Sequence, residues 1–144
     1  MRKIFADTSY WIAITNPKDE LHSLVQIINK SIKDSSILTT DEVLVEFLAY
    51  FSSKYSGTMR RAASEITRRI LNNTNIQVIP QSRDSFLSGL KLYEERLDKQ
   101  YSLVDCISMV TMRNEGITEI LTSDSHFAQE GFSIYLSKSI SKKT

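Results

Sequence analysis

Apolar and polar positions along the chain alternate between short continuous runs and helical spacing. The apolar run at 3–6, with Ile4 and Phe5, predicts a strand, and Leu21, Leu24, Val25, Ile28 and Ile32 then recur at helical intervals over 20–34. A second strand is predicted at 36–39. Positions 41–55 predict a strongly apolar helix through Val43, Leu44, Phe47, Leu48 and Phe51, with Gly57 expected to close it as a C-cap. Over 58–71 the pattern is two-faced: Ala62, Ala63, Ile66 and Ile70 point one way, Arg60, Arg61, Arg68 and Arg69 the other. A third strand at 76–79 is stopped by Pro80, and helical spacing returns over 82–98 through Phe86, Leu90, Tyr93 and Leu97. Gly89 inside that helix costs about 1 kcal/mol. A helix over 103–115 closed by Gly116, a strand at 118–122, a short helix at 125–130 closed by Gly131 and a last strand at 132–136 follow, before a polar tail at 137–144.

Strands separated by helices require crossover connections, which are right-handed and lay helices on both faces of a sheet. The predicted class is therefore α/β: a three-layer α/β/α sandwich around a mostly parallel central sheet of about five strands. With no linker, repeat or low-complexity run in the sequence, residues 1–136 are expected to form a single domain. Ligands of such sheets bind beyond the C-terminal strand ends, where strand order reverses.

Composition removes several classes. Hydrophobic residues at 41% and charged residues at 24% disfavour disorder, collagen and membrane-spanning chains. A net charge of +1 neither demands nor excludes a polyanionic partner. Cys106, the single cysteine, makes no intrachain disulfide, and with two His it cannot build a Cys/His zinc site. Asp7 interrupts the N-terminal apolar run short of signal-peptide length, so a cytoplasmic protein without membrane association is expected. Glycines at 57, 89, 116 and 131 form no phosphate loop, nucleotide-binding fingerprint or Gly-x-Ser-x-Gly elbow.

Candidate chemistry is carried by acids. Asp7 directly follows the first strand, Glu46 lies one turn into the helix after the second, and Asp124 directly follows Ile120-Leu121-Thr122-Ser123. Asp105, in the first turn of the helix after Ser102, joins them if that helix starts at the same sheet edge. Each acid also has a structural reading: Asp before a helix is a common N-cap, and Ser102-Leu103-Val104-Asp105 fits a capping box. Glu46 shares its stripe with Glu42, which reads alternatively as a solvated face.

Two carboxylates about 4 Å apart repel by about 4 kcal/mol at an effective dielectric of about 20, a large share of the roughly 5 to 15 kcal/mol that stabilises a domain. A cluster of four acids calls for cations, and all-oxygen donors select Mg²⁺ or Mn²⁺ over zinc. Such ions are a recurrent means of cleaving phosphodiesters. Two rivals fail on residues: a haloacid-dehalogenase-type phosphatase needs a second Asp at position 9, which is Ser, and a receiver domain needs paired acids after the first strand and a Lys after the last.

Four motifs then carry a family likeness. Phe5-Ala6-Asp7-Thr8-Ser9, the stretch from Thr39 to Glu46, Ser102-Leu103-Val104-Asp105-Cys106, and Leu121-Thr122-Ser123-Asp124-Ser125-His126-Phe127 with Gly131-Phe132 resemble PIN-domain ribonucleases, VapC-type toxins most of all. The resemblance spans nearly the whole chain. It implies that Asp7, Glu46, Asp105 and Asp124 form a metal-binding quartet for Mg²⁺ or Mn²⁺, and that the protein is an endoribonuclease hydrolysing RNA phosphodiesters through a metal-activated water. Thr8, Ser102 and Ser123 are candidate contacts to water or phosphate, and Glu42 leaves open which Glu faces the metal. The toxin likeness further implies a small antitoxin partner and a homodimer, the latter in keeping with the apolar surplus of Val43, Leu44, Val45, Phe47, Leu48, Tyr50 and Phe51 on one helix. The alternative is a PIN-like module that binds RNA or protein without cutting.

The remaining candidates have paired readings. Tyr10 and Trp11 are either base-stacking or packing residues, and His126 either an RNA contact or a packed or capping residue. Cys106 is expected to be small, buried filler. Arg60, Arg61, Arg68 and Arg69, with Lys54, are either an RNA path or a solvated face.

Overall fold

The computed structural model describes residues 1–53 and 56–137. Its elements in chain order are β1 (Lys3–Ala6), α1 (Thr8–Thr15), α2 (His22–Ser31), β2 (Ser36–Thr40), α3 (Asp41–Ser53), α4 (Gly57–Asn72), β3 (Ile76–Ile79), α5 (Arg83–Glu95), α6 (Leu103–Asn114), β4 (Glu119–Leu121), α7 (Ser125–Gln129) and β5 (Ser133–Tyr135). The strands form one sheet in the order β3-β2-β1-β4-β5. All four pairings are parallel, so the sheet is wholly rather than mostly parallel. Phe5 of β1 stands opposite Leu38 on one side and Ile120 on the other. Strands covered on both faces are apolar throughout, as Ile4, Phe5, Ala6, Leu38, Ile120 and Leu121 are, each buried.

The chain runs outward from β1 through β2 to β3 and then returns to the other side of β1 for β4 and β5. With right-handed crossovers, helices of the outward leg cover one face and those of the return leg the other. The packing agrees: α3 lies on α1 and α4, while α5 lies on α6. The strand order therefore reverses at β1, between β2 and β4, and the C-terminal ends of β1 and β4 face one crevice.

Two expectations need correction. Helix α1 has no counterpart in the periodic reading, because Thr8, Tyr10, Trp11, Ile12 and Ala13 are buried on nearly every side and leave no polar face to mark a helix. Gly57 is not a C-cap: it opens α4, with Ser56 at the N-cap position. Gly116 and Gly131 do occupy the expected left-handed turns, with φ of 68° and 94°. The predicted tail beyond Ser137, the end of the helix at Tyr55, and Lys54 lie outside the described residues. No helix among the described residues is long and apolar enough to cross a membrane.

Gly89 owes its place to packing. A Cβ there would lie 2.4 Å from Ile107 Cγ1 and 3.2 Å from the Ile107 backbone nitrogen, so α5 and α6 meet backbone to backbone. Gly89→Ala, which on propensity alone gains about 1 kcal/mol, is expected instead to lose about 1–3 kcal/mol through overpacking. A urea melt showing equal or greater stability would contradict the close approach.

Candidate active site

At the crevice, β1 ends and Asp7 turns the chain into α1. Asp7 occupies the N-cap position, yet its side chain makes no capping hydrogen bond. Its Oδ2 accepts a 2.8 Å hydrogen bond from the Thr122 hydroxyl, and its Oδ1 is buried with no partner. Capping thus does not account for Asp7.

Asp124 does cap: its Oδ1 accepts from the His126 backbone N–H at 2.9 Å. Asp105 and Ser102 form the anticipated capping box, Ser102 Oγ accepting from the Asp105 N–H at 3.0 Å and Asp105 Oδ2 from the Ser102 N–H at 3.1 Å. These bonds fix the two carboxylates in place without consuming all their lone pairs. Glu46 arrives on α3, which packs on α1, and accepts a hydrogen bond from the Thr8 hydroxyl. Glu42 is one turn earlier and lines a separate groove with Arg83 and Phe86, where Ser85 Oγ lies 3.5 Å from its Oε2.

A cleft of about 550 Å³ is lined by Asp7, Thr8, Ser9, Glu46, Ser102, Asp105, Ser123, Asp124 and His126, together with Ile12 and Gln100. The structure therefore brings Asp7, Glu46, Asp105 and Asp124 to one surface, with Thr8, Ser102 and Ser123 beside them. Burial pushes the Asp7 carboxyl up to about 7, against the lowering influence of the Thr122 hydrogen bond and the adjacent Thr8 backbone N–H dipole, with Asp105 and Glu46 adding repulsion. Glu46 is also raised by burial, opposed by Thr8 and reinforced by Asp105 and Asp124. Asp105 is raised by burial as well, against the Ser102 hydrogen bond, with Asp124 repelling it and His126 relieving it. Three acids thus sit where their charged forms are costly without a cation.

The donor set suits a divalent metal ion. Ligand atoms of Asp105, Asp124 and His126 lie within 4.8 Å of one another, and Asp7, which lines the same cleft, keeps a buried oxygen without a partner. Hard carboxylate donors in that number match Mg²⁺ or Mn²⁺.

Thr122 is the residue that sequence reasoning passed over. Its hydroxyl donates to Asp7 and accepts from the Asp124 backbone N–H at 3.1 Å, so it ties the ends of β1 and β4 together. Ser9 stands behind it, accepting from the Ser123 N–H at 3.1 Å. Its place as the last residue of the predicted strand at 118–122 was the one available signal for Thr122. Tyr10 and Trp11 are buried, and Tyr10 donates to Asn29, which supports packing over base stacking. Cys106 is buried, whereas Arg60, Arg61, Arg68 and Arg69 are exposed along α4.

The fold is thus an all-parallel α/β sandwich that gathers four acids at its switch point. The chain belongs to the PIN-domain family, whose model matches residues 4–132. Among its relatives, the 23S rRNA-specific endonuclease VapC20 of Mycobacterium tuberculosis is 28% identical over 130 residues, covering 90% of this chain and 95% of that protein. A VapC ribonuclease of Aquifex aeolicus is 24% identical over 122 residues, covering 83% and 84%. The crystal structure of VapC20, described as a sarcin-ricin loop cleaving toxin, superposes with a TM-score of 0.79 at 26% identity over 90% of this chain and 95% of the other. VapBC2 from Rickettsia felis, solved bound to a DNA fragment from its promoter, shares the fold with a TM-score of 0.67 at 13% identity, covering 92% and 97%.

Proposed function

We propose that this protein is a metal-dependent endoribonuclease, the toxin of a toxin-antitoxin pair, acting in the cytoplasm from a single domain of residues 1–136. The observation that carries the reading is the meeting of Asp7, Glu46, Asp105 and Asp124, from four separate segments, in one cleft where Asp7 Oδ1 has no other partner. These four residues would hold Mg²⁺ or Mn²⁺, which supplies positive charge against the RNA phosphate and activates water for hydrolysis. The carboxylates are ligands, not covalent nucleophiles. Thr122 orients Asp7, Thr8 orients Glu46 and Ser102 orients Asp105, each through the hydrogen bonds above. Ser123 and the hydroxyl groups of Thr8 and Ser102 border the space a phosphate enters.

The substrate is RNA, and the name of the Mycobacterium relative makes ribosomal RNA the first pool to test. Incubation of the purified, folded protein with total RNA and Mn²⁺ is expected to yield discrete fragments that EDTA abolishes. Binding of RNA with no metal-dependent cleavage would favour a non-catalytic PIN-like module instead. The antitoxin is a small protein that inserts a basic side chain into the acid cleft; Arg suits a pair of carboxylates by its bidentate fork. The Rickettsia relative, solved as VapBC2, supports such a pairing.

The chain forms a homodimer through α3. Val43, Leu44, Phe47 and Phe51 are buried within the chain, but Val45 is 61% exposed, so part of the apolar surplus remains outward. An isologous contact there would cover it. Sedimentation at micromolar concentration is expected to show a dimer, with Val45→Glu reducing it to the 16.5 kDa monomer. A wild type already at 16.5 kDa rejects the interface.

A further inference from the structure

His126 contributes the single imidazole among the residues lining the acid cleft. Its Nδ1 stands 3.2 Å from Asp124 Oδ1 and 3.4 Å from Asp105 Oδ2. One N–H shared between two acceptors serves each less well than a single aligned one, and N–H···O bonds are best at about 2.7–3.2 Å. Adjacent donors around an octahedral ion with bonds of about 2.1 Å, by contrast, lie about 3 Å apart. The ligand atoms of the three residues all lie within 4.8 Å of one another, a span that one bound cation can draw together. Independently, Asp7, 6% exposed, lines the same cleft and keeps its Oδ1 without a hydrogen-bond partner.

The imidazole is also held in place. Its ring packs on Tyr101 with centroids 5.4 Å apart, and the Tyr101 hydroxyl donates to Glu130 Oε1 at 3.1 Å. Glu130, its side chain only 7% exposed, pairs with Arg96 at 2.7 Å and Arg113 at 2.8 Å. A braced wall of this kind fixes a ligand's orientation before the ion arrives.

We infer that His126 Nδ1 is a direct ligand, with Asp105 and Asp124, of the cation bound at this site, and that the mixed nitrogen and oxygen set selects a first-row transition-metal ion such as Mn²⁺ over Mg²⁺. Imidazole suits transition metals, whereas Mg²⁺ takes oxygen donors almost exclusively. The inference rests on the proposed metal-dependent reading and deepens it.

The test is metal-stripped full-length protein titrated with Mn²⁺ and, separately, Mg²⁺, with pulsed electron paramagnetic resonance on the Mn²⁺ complex to detect a directly bound nitrogen. The wild type is expected to bind Mn²⁺ more tightly than Mg²⁺ and to show imidazole ¹⁴N coupling. In His126→Asn the coupling is lost and Mn²⁺ binding weakens by at least about tenfold, with Mg²⁺ binding little changed. Wild-type protein that binds Mn²⁺ without ¹⁴N coupling overturns the role of His126 and leaves the carboxylate site standing. Binding of neither ion overturns both. The wild-type spectrum decides the matter even if the variant does not fold, and coupling that persists in a folded variant overturns the assignment.

Discussion

Asp7→Asn is expected to lower metal-dependent RNA cleavage by at least about 100-fold, since even loss of a residue behind a metal ligand costs about 10–100-fold, while leaving the metal-free fold as stable as the wild type or more so. The two effects share one cause. Asp7 is buried, gains nothing from capping α1, and keeps one oxygen without a partner, so its charge is useful only to a cation. Asparagine still accepts from Thr122 and carries no charge into the interior. Asp124→Asn is expected to lose cleavage likewise, but with stability nearly unchanged, because asparagine caps a helix about as well as aspartate. Cleavage assays with Mn²⁺ and thermal melts in EDTA check both variants. Undiminished cleavage would remove the acids from the mechanism, and a large loss of stability in Asp7→Asn would return Asp7 to a structural role.

Metal-free protein is expected to lose stability as the pH rises from about 5 to about 7. Asp7 has its carboxyl pushed from an ordinary 3.8 up to about 7, so within this window the folded state holds a proton that the unfolded chain has released. Stability then falls with pH, because the unfolded state binds fewer protons. At 1.36 kcal/mol per pH unit the displacement amounts to about 4 kcal/mol, all of it lost above about pH 7. Glu46 and Asp105, also raised, act in the same direction. Glu119 and Glu130 act oppositely. Hydrogen bonds from Arg2 and Tyr135 lower Glu119 to about 2. Burial opposes the lowering of Glu130, yet its bonds from Arg96, Arg113 and Tyr101 take it to about 2. Their stabilisation is present above the ordinary glutamate value of 4.5 and is lost as the pH falls toward 2. The two sets of windows leave maximum stability near about pH 4.5 to 5 in EDTA. Saturating Mn²⁺, which binds ionised carboxylates, is expected to abolish the decline toward pH 7, and Asp7→Asn to flatten it without metal. Denaturant melts from pH 4 to 8 measure this, and a metal-free wild type that grows more stable across the window would contradict the burial of the Asp7 charge.

The sequence by itself determined the order of strands and of every helix but α1, the parallel α/β class, and the placement of Asp7 and Asp124 at strand ends, because these depend on local period and on the geometry of crossovers. Four short motifs carried the family likeness for the same reason: each is a contiguous run. Tertiary structure decided what local period cannot encode. Helix α1 is packed on nearly all sides and so shows no amphipathic stripe until its neighbours are in place. Glu42 and Glu46 share one stripe of α3, and only the tertiary arrangement places Glu46 in the acid cleft beside Thr8 of α1 and Glu42 beside Ser85 of α5. Asp7 and Asp124 look alike as residues before helices, yet one caps and the other keeps a bare oxygen. The partners that separate these cases are distant along the chain: Thr8 and Glu46 are 38 residues apart, Asp7 and Thr122 115 apart. Hydrogen bonds of that span, and the burial that shifts the acids they touch, exist only once the sheet has drawn β1, β2 and β4 side by side.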